Sequence, residues 1–243
     1  MRKIFLPVIL FSVIFSACEK STETYQTAAI ADYNPLQVGK YITYQLDSLV
    51  YVNFGTLQEI HSYEVKYYTD ALITDNLGRP AYRIIRYIRN APTQPWVPDA
   101  SFMAINTGNS LEFIENNLRY IKLKLPIRPG ANWKGNSFID TYSLYSELKY
   151  LGDWDYTLEQ IDMPADIGGL IIDSTLTVNQ RNEITGNPGD PNAYSEENFG
   201  LEIYAKGIGL VYRKFLHSTY QPGNGGYIED GSYGVTYTMI DHN

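Results

Sequence analysis

The chain has 243 residues, of which 44% are hydrophobic and 19% are charged, and its formal net charge is −8. Enough apolar side chains are present to bury a core, so the composition excludes a disordered or collagen-like chain. The excess of 27 acidic over 19 basic residues argues against a nucleic-acid partner, because such a partner requires a basic surface.

The start of the chain has the pattern of an export signal. Arg2 and Lys3 precede an apolar run at residues 4–15, and small residues lie directly before Cys18. The run is shorter than the about 20 residues that are needed to span a bilayer. We therefore predict a signal peptide at residues 1–17 that is cleaved before Cys18.

Cys18 is the only cysteine of the chain. The segment Phe-Ser-Ala-Cys that it ends resembles the lipobox of bacterial lipoproteins, with Phe15 at the position where Leu is usual. The resemblance implies that Cys18 carries acyl chains such as palmitate and becomes the first residue of the mature protein. Each buried methylene group contributes about 0.8 kcal/mol to membrane binding, so several acyl chains would make this anchor effectively permanent. A catalytic thiol and disulfide bonds are excluded, because no other cysteine is present.

Residues 19–34 are polar and without periodicity, so we predict a lipidated tether at 18–34 followed by a single β-rich domain at 35–243. Loss of the signal peptide removes Arg2 and Lys3 but no acidic residue, which makes the mature chain more acidic. Anionic head groups would repel such a surface, so the predicted attachment is the lipid anchor alone. We expect an outer-membrane location and leave open which face of that membrane carries the protein.

From Pro35 onward, aromatic and β-branched residues alternate with polar ones, and turn residues separate these runs. A period of two with frequent turns predicts an antiparallel β protein. The turn residues at 75–80 predict a hairpin, and Asn116-Asn117 predicts another, because asparagine tolerates left-handed turn conformations. The spacing of apolar residues at 137–151 is closer to helical and predicts one short helix.

Three segments carry a family resemblance: PLxVGxYxxY at 35–44, PxxPGxxW at 126–133 and YAKGIGLVY at 204–212. Together with the lipobox, they resemble outer-membrane lipoproteins common in Bacteroidota. The resemblance implies a strongly curled antiparallel sheet or half-barrel with one short helix. It implies no particular activity, because the shared motifs are structural.

The histidines and acidic residues show no pattern of a metal site. His61, His217 and His242 have no carboxylate or thiol at ligand spacing, which argues against zinc. The acidic segment 185–198 lacks the regular ligand spacing of a calcium loop. No Gly-x-Ser-x-Gly elbow of a serine hydrolase is present. We therefore predict no metal and no cofactor.

Gly207 and Gly209 flank one apolar residue inside a β-type segment. A dinucleotide-binding loop would need a third glycine where Tyr212 stands, and a helix would have to follow. We predict instead that both glycines are structural and form a bulge or tight turn.

The segment Asp153-Trp154-Asp155-Tyr156 is the candidate ligand site. Alternation along a strand places Trp154 and Tyr156 on one face and the two aspartates on the other. An indole with nearby carboxylates suits a sugar, so Trp154 and Tyr156 are candidate ligand-binding residues. The alternative is that Trp154 packs in the core and both aspartates are solvated.

These features predict a lipid-anchored cell-envelope protein that binds a ligand and has no catalytic activity. The 22 tyrosines favour an aromatic-lined concave face, although tyrosine is also common in strands for its β propensity. The ligand classes that remain open are a glycan, a lipid or an envelope protein. Two alternatives also remain open: a glycan-acting enzyme, and a structural or assembly component of an envelope complex.

Overall fold

The computed structural model describes residues 28–243; the predicted signal peptide and Cys18 lie outside them. Strands account for 61% and helices for 4% of the structure, which confirms the mainly β fold class. The elements are α1 (Ile30–Tyr33), β1 (Tyr41–Val52), β2 (Leu57–Thr74), β3 (Pro80–Arg89), β4 (Val97–Asn106), β5 (Ser110–Glu115), β6 (Leu118–Lys124), β7 (Asn132–Lys134), β8 (Asp155–Ile167), β9 (Leu170–Gly186), β10 (Ser195–Ala205), β11 (Gly209–Gln221), β12 (Tyr227–Ile228) and β13 (Tyr233–His242).

All strands belong to one antiparallel sheet. Its order is β6-β5-β4-β3-β2-β1-β13-β11-β10-β9-β8-β7, and β12 pairs with β11 outside this path. The last strand, β13, lies between β1 and β11 and so joins the two halves of the sheet. The predicted hairpins β2–β3 and β5–β6 are both present, and Asn116 and Asn117 have φ angles of 52° and 62° as their turn requires.

The sheet curls until its two edge strands meet. The Ile121 amide on β6 donates a hydrogen bond to the Gly135 carbonyl, directly after β7, at 2.8 Å. The indole Nε1 of Trp133 on β7 donates to the Ile121 carbonyl at 2.7 Å. The predicted curled sheet is therefore confirmed, and it forms a nearly closed barrel.

Because neighbouring strands are antiparallel, their connections alternate between two ends of the barrel. We call the end at which β1 begins the N-terminal end; it also carries the β2–β3, β4–β5 and β10–β11 turns. The opposite, distal end carries the turn at 53–56, the segment 135–154, the loop 187–194 and the segment 222–232.

The folded domain begins before Pro35. In α1, Ile30 and Tyr33 are 1% and 0% exposed and pack into the core. The Tyr33 hydroxyl donates a hydrogen bond to Asp162 Oδ1 at 2.6 Å. This corrects the predicted domain start at residue 35: two large side chains three positions apart share one helix face, and that face closes the N-terminal end of the barrel.

The helix that was predicted at 137–151 is not formed; the segment is an irregular loop with a 3-10 turn at Lys149–Leu151. The Asp140 carboxylate accepts hydrogen bonds from the backbone amides of Tyr142 and Ser143, at 3.1 and 3.0 Å. Such local side-chain bonds compete with the helical ladder. The one α-helix of the described residues is α1, at the other end of the barrel.

Aromatic rings fill the barrel toward its distal end. Trp154 stacks on Phe215 with ring centroids 5.7 Å apart, and Trp133 meets Tyr156 edge to face at 5.9 Å. Each such pair contributes about 0.5–1.5 kcal/mol beyond the burial of its area. This packing confines the open interior space to the region near the N-terminal end.

Candidate functional site

A cavity of about 90 Å³ lies inside the barrel beneath residues 34–36, near the N-terminal end. Strands from both halves of the sheet contribute to its wall. The apolar part of the lining consists of Leu36, Ile84, Leu111, Phe113, Ile208 and Leu210. The polar part includes the rings of Tyr44, Tyr67, Tyr204 and Tyr237 and the charged side chains of Lys40, Lys122, Glu202 and Arg213.

Four charged side chains cross the barrel interior and form what we call the charged cluster: Glu115, Lys122, Glu202 and Arg213. Lys122 Nζ on β6 lies 2.7 Å from Glu202 Oε1 on β10. Arg213 Nη2 on β11 lies 3.1 Å from Glu115 Oε1 on β5. Glu202 is 0% exposed and Lys122 is 4% exposed. Two cations and two carboxylates make the cluster neutral as a whole.

Glu115 and Arg213 of the charged cluster are held in their ionised forms. Burial alone would raise the pKa of Glu115, but Arg213 and Lys122 outweigh it and hold that pKa below its ordinary value. Burial likewise opposes the charge of Arg213, yet Glu115 and Glu202 raise its pKa well above the ordinary value. Glu115 and Arg213 therefore stay charged and paired at neutral pH.

Tyr44 and Tyr204, which line the cavity, are neutral hydrogen-bond donors. Tyr204 donates its hydroxyl to Glu202 Oε2 at 2.7 Å, and Tyr44 donates to the Leu210 carbonyl at 2.8 Å. Burial raises the pKa of both hydroxyls above the ordinary tyrosine value. Their polar tips bond to the protein, which leaves the aromatic rings as the surface offered to the cavity.

Two donors of the charged cluster have unused capacity. Within residues 28–243, the buried Arg213 Nε has no hydrogen-bond partner, since Glu202 Oε1 lies 3.7 Å away. Lys122 Nζ carries three N–H groups and makes one hydrogen bond in that range, to Glu202. Both groups line the cavity, so the site can donate hydrogen bonds to an acceptor placed beside an apolar wall.

The structure places the predicted ligand residues Trp154 and Tyr156 in the core, each 2% exposed, and on one face as expected. The Trp154 indole donates to the Tyr150 carbonyl at 2.7 Å, and the Tyr156 hydroxyl donates to Asn136 Oδ1 at 2.9 Å. Neither ring lines the interior cavity, although Trp154 borders a surface pocket of about 250 Å³. This corrects their assignment as an open aromatic face, because burial and internal bonds occupy both rings.

The two aspartates beside Trp154 point to solvent, which is the alternative that the sequence left open. Their side chains are 75% and 60% exposed, for Asp153 and Asp155 respectively. Lys134 Nζ lies 3.9 Å from Asp153 and 3.0 Å from Asp155. The carboxylates therefore form an exposed ion-pair group rather than a pair of acids around a ligand.

Gly207 and Gly209 lie at the β10–β11 turn with φ angles of +77° and +121°. The Gly207 amide donates to the Asp32 carbonyl at 2.7 Å, and Lys40 Nζ donates to the Gly207 carbonyl at 2.8 Å. A Cβ at Gly209 would lie 3.2 Å from Ile42 Cδ1. Of the two predicted forms, the structure has the tight turn, and this turn holds the N-terminal segment in place.

The sequence patterns did not lead to a prediction of the charged cluster, although one pattern in the sequence indicates it. Glu202 and Tyr204 have the same parity on one strand, and so do Tyr120 and Lys122 on another. A charged residue in step with aromatic core positions indicates a charge that faces inward. The order of the strands in the sheet determines which cation pairs with which carboxylate, and no local sequence pattern predicts that pairing.

Comparison with known proteins gives no relative: the chain matches no family model, no curated protein and no solved structure. In residues 28–243, no group of three or more His, Cys, Asp or Glu side chains is arranged to hold a metal ion. None of the helices in that range is long and apolar enough to cross a membrane.

Proposed function

We propose that the protein is a lipid-anchored cell-envelope module that binds a small, neutral, amphipathic ligand in the barrel cavity and catalyses no reaction. The observation that carries this proposal is the pairing of an apolar wall with a buried donor, Arg213 Nε, that lacks a partner among the described residues. Ligand sites in proteins are concave, mostly apolar and equipped with a few polar groups that fix orientation. The cavity has each of these properties.

The charge balance of the cluster supports a neutral ligand. Glu115 and Glu202 already neutralise Lys122 and Arg213, so a charged group placed against the cluster would lack a counter-ion there. The other cation of the lining, Lys40, is partly exposed and donates its Nζ to the Gly207 carbonyl. Burial of an unpaired charge costs far more than burial of a hydrogen-bonded neutral group. A carbonyl or hydroxyl oxygen can instead accept from Arg213 Nε while its apolar chain contacts Leu36 and Phe113.

The size and position of the cavity limit how the ligand enters. A cavity of about 90 Å³ exceeds the roughly 10–15 Å³ that one water molecule requires, and it is only partly enclosed. Residues 34–36 line the cavity, so a longer apolar chain is expected to extend past them. Those residues lie a short distance along the chain from the predicted lipid anchor, so the entrance is expected to face the membrane that supplies amphiphiles.

The same contacts support binding rather than catalysis. Both carboxylates of the charged cluster are engaged with cations, and Glu202 also accepts the Tyr204 hydroxyl. A general acid or base needs a pKa near the working pH, whereas the pKa of Glu115 is lowered. The cluster thus orients a neutral oxygen more readily than it transfers a proton.

The test is a thermal-shift titration of the mature chain carrying Cys18→Ala, which needs no detergent. The probes are the 1-alkanols from butanol to decanol, with the matching carboxylates and alkylammonium ions. We expect the alkanols to raise the Tm of the protein and the charged probes to leave it unchanged, because a hydroxyl oxygen can accept from Arg213 Nε without placing an uncompensated charge beside the neutral cluster.

Leu36→Trp fills the cavity and should abolish the Tm shift, whereas Leu77→Trp, at a side chain that is 72% exposed, should preserve it. Ile84→Phe, from the opposite wall, provides a second filling variant if Leu36→Trp does not fold. The proposal fails if no alkanol stabilises the protein, or if both filled variants respond like the wild type; the structural or assembly role would then be favoured.

A further inference from the structure

We infer that a second pocket, on the outer surface at the distal end, is a binding site for a neutral carbohydrate. Strand β13 begins at Tyr233, so beyond that point it no longer lies between β1 and β11, and the short strand β12 pairs with β11 instead. A pocket of about 350 Å³ lies in the gap that remains between β12, the end of β11 and the end of β1. Across it, the Tyr51 hydroxyl donates to Ser218 Oγ at 3.3 Å. The gap gives the outer face of the sheet a concave polar surface.

Strand alternation shows that this pocket is separate from the interior cavity. On β11, the His217 side chain faces the barrel interior, where its ring stacks on Tyr150 with ring centroids 3.9 Å apart. Ser218 and Tyr220, which line the outer pocket, are one and three positions further along the strand. Neighbouring residues on a strand point to opposite faces, so Ser218 and Tyr220 face outward. The two sites share no lining residue.

The rim of the pocket is fixed by backbone contacts. Ile228 in β12 donates its amide to the Gly55 carbonyl at 2.9 Å, which joins the segment 222–228 to the turn at 53–56. Gly55 has φ +76°, and a Cβ there would lie 1.9 Å from the Ile228 carbonyl oxygen. On the other side, the Tyr220 hydroxyl donates to the Pro191 carbonyl at 2.8 Å. The concavity is therefore built before any ligand arrives.

Polar side chains in the lining have free hydrogen-bonding capacity. Four polar side chains of the lining have no hydrogen-bond partner within residues 28–243: Gln58, Ser195, Glu197 and Tyr227. Ser195 is 3% exposed and Tyr227 is 37% exposed, so the set extends from the floor to the rim. It combines a carboxylate, an amide, a hydroxyl and a phenol. A ligand that satisfies it must carry several donors and acceptors close together.

The chemistry of the lining selects among ligand classes. Glu197 is the only Asp, Glu, Lys, Arg or His among the described residues that line the pocket, so an anionic ligand would meet an uncompensated negative charge. A lipid chain would leave the polar groups without partners. A sugar supplies many hydroxyl groups to the carboxylate and amide and apolar C–H surface to the tyrosine rings. These features favour a neutral mono- or oligosaccharide.

The experiment applies the mature chain carrying Cys18→Ala to a printed array of neutral and anionic glycans. The strongest neutral glycan is then measured by isothermal titration calorimetry, with choline as a cationic comparison. We expect binding to neutral glycans. Glu197→Gln should weaken it about tenfold, because a hydrogen bond to a charged acceptor becomes one to a neutral acceptor, and Tyr227→Ala should weaken it at least as much.

Two variants serve as matched controls and should retain wild-type affinity. Glu196→Gln changes the neighbouring carboxylate, which bonds to Tyr194 and Asn198 instead of lining the pocket. Tyr145→Ala removes a distal-end tyrosine that is 91% exposed and also outside the pocket. The inference is overturned if no neutral glycan binds, if choline or anionic glycans bind instead, or if Glu197→Gln and Tyr227→Ala bind like the controls. The alkanol response of Glu197→Gln reports on the interior cavity separately.

Discussion

At the scale of single residues, the charged cluster is the feature that distinguishes this barrel from an ordinary apolar core. Removing a Lys and a Glu from water costs several kcal/mol for each ion, and only close pairing offsets that cost. Lys122 and Glu202 are separated by 80 positions in the sequence and lie 2.7 Å apart in the fold. Their burial therefore depends on correct closure of the sheet.

We predict that Lys122→Met lowers the free energy of unfolding by about 3–5 kcal/mol, because the fully buried Glu202 loses the cation 2.7 Å away and keeps only Arg213, whose Nε lies 3.7 Å from it. The double variant Lys122→Met/Glu202→Gln should recover more than about 1 kcal/mol of that loss, since it removes the under-compensated carboxylate charge and keeps an acceptor for Tyr204. Equilibrium urea unfolding measures each value.

The exposed pair formed by Lys134 and Asp155 is the matched control for this prediction. Its side chains are 55% and 60% exposed with a 3.0 Å contact, so Lys134→Met should change the free energy of unfolding by less than about 1 kcal/mol. Equal losses from Lys122→Met and Lys134→Met would contradict a role for burial, and a double variant no more stable than Lys122→Met would contradict the pairing argument.

The residue scale also shows where sequence reasoning stops. Alternation correctly placed Trp154 and Tyr156 on one face and the two aspartates on the other. It could not give the depth of that face, because depth depends on the neighbouring rings, Phe215 and Trp133, which come from other strands. The alternation of residues in the sequence is the same for an aromatic side chain that is buried in the core and for one that lines an open ligand site.

Among the elements, the β10–β11 hairpin connects the barrel to the N-terminal segment, and its two glycines differ in the space around them. Both have positive φ, a conformation that costs a residue with a Cβ about 1 kcal/mol. A Cβ at Gly207 would meet nothing within 4 Å, whereas one at Gly209 would lie 3.2 Å from Ile42 Cδ1 and 3.3 Å from Asn34 Oδ1.

We therefore expect Gly207→Val to lower stability by about 1 kcal/mol through backbone strain alone. Gly209→Val should lower it by more, because its side chain also pushes against Ile42 and Asn34. Thermal unfolding followed by circular dichroism gives both values. Two unchanged melting temperatures would refute the structural assignment, and an equal loss in both variants would refute the steric part of it.

Element prediction succeeded for hairpins and failed for helices, for a physical reason. Turns such as Asn116-Asn117 are encoded locally, since their φ angles depend on the turn residues themselves. The apolar spacing at 137–151 was consistent with a helix, but Asp140 bonds to the amides that follow it and starts a turn instead. The true helix, α1, has four residues, too few to show a period, and the barrel core stabilises it.

At the scale of the whole molecule, the two pockets lie at opposite ends of the barrel. The sequence indicated the strands but not their order, because the insertion of β13 between β1 and β11 is a contact between the two ends of the chain. That contact defines both sites: it closes the wall around the charged cluster, and the place where β13 begins leaves the gap that forms the outer pocket.

This arrangement predicts how the lipidated protein sits on a membrane. Cys18, the predicted lipidation site, lies ten positions before Ala28, where the described chain starts. A fully extended chain of that length spans about 35 Å at about 3.5 Å per residue. Strand β1, with 12 residues at about 3.3 Å each, extends about 40 Å toward the distal end. The N-terminal end should therefore face the bilayer, and the distal pocket should face away from it.

Lipidated protein in vesicles tests this orientation, since acylation of Cys18 would leave an introduced cysteine as the reactive thiol. Leu77→Cys labels the β2–β3 turn at the N-terminal end, and Phe54→Cys labels the distal turn; both side chains are exposed, at 72% and 93%. Spin-labelled lipids should quench a fluorophore at position 77 more strongly than one at position 54. Mass spectrometry of the N-terminus supplies the control: an unmodified Cys18 or a retained signal peptide would contradict the anchor. Equal or reversed quenching in acylated protein would contradict the orientation, because a body held at its N-terminal end cannot place its distal turn nearer the lipid.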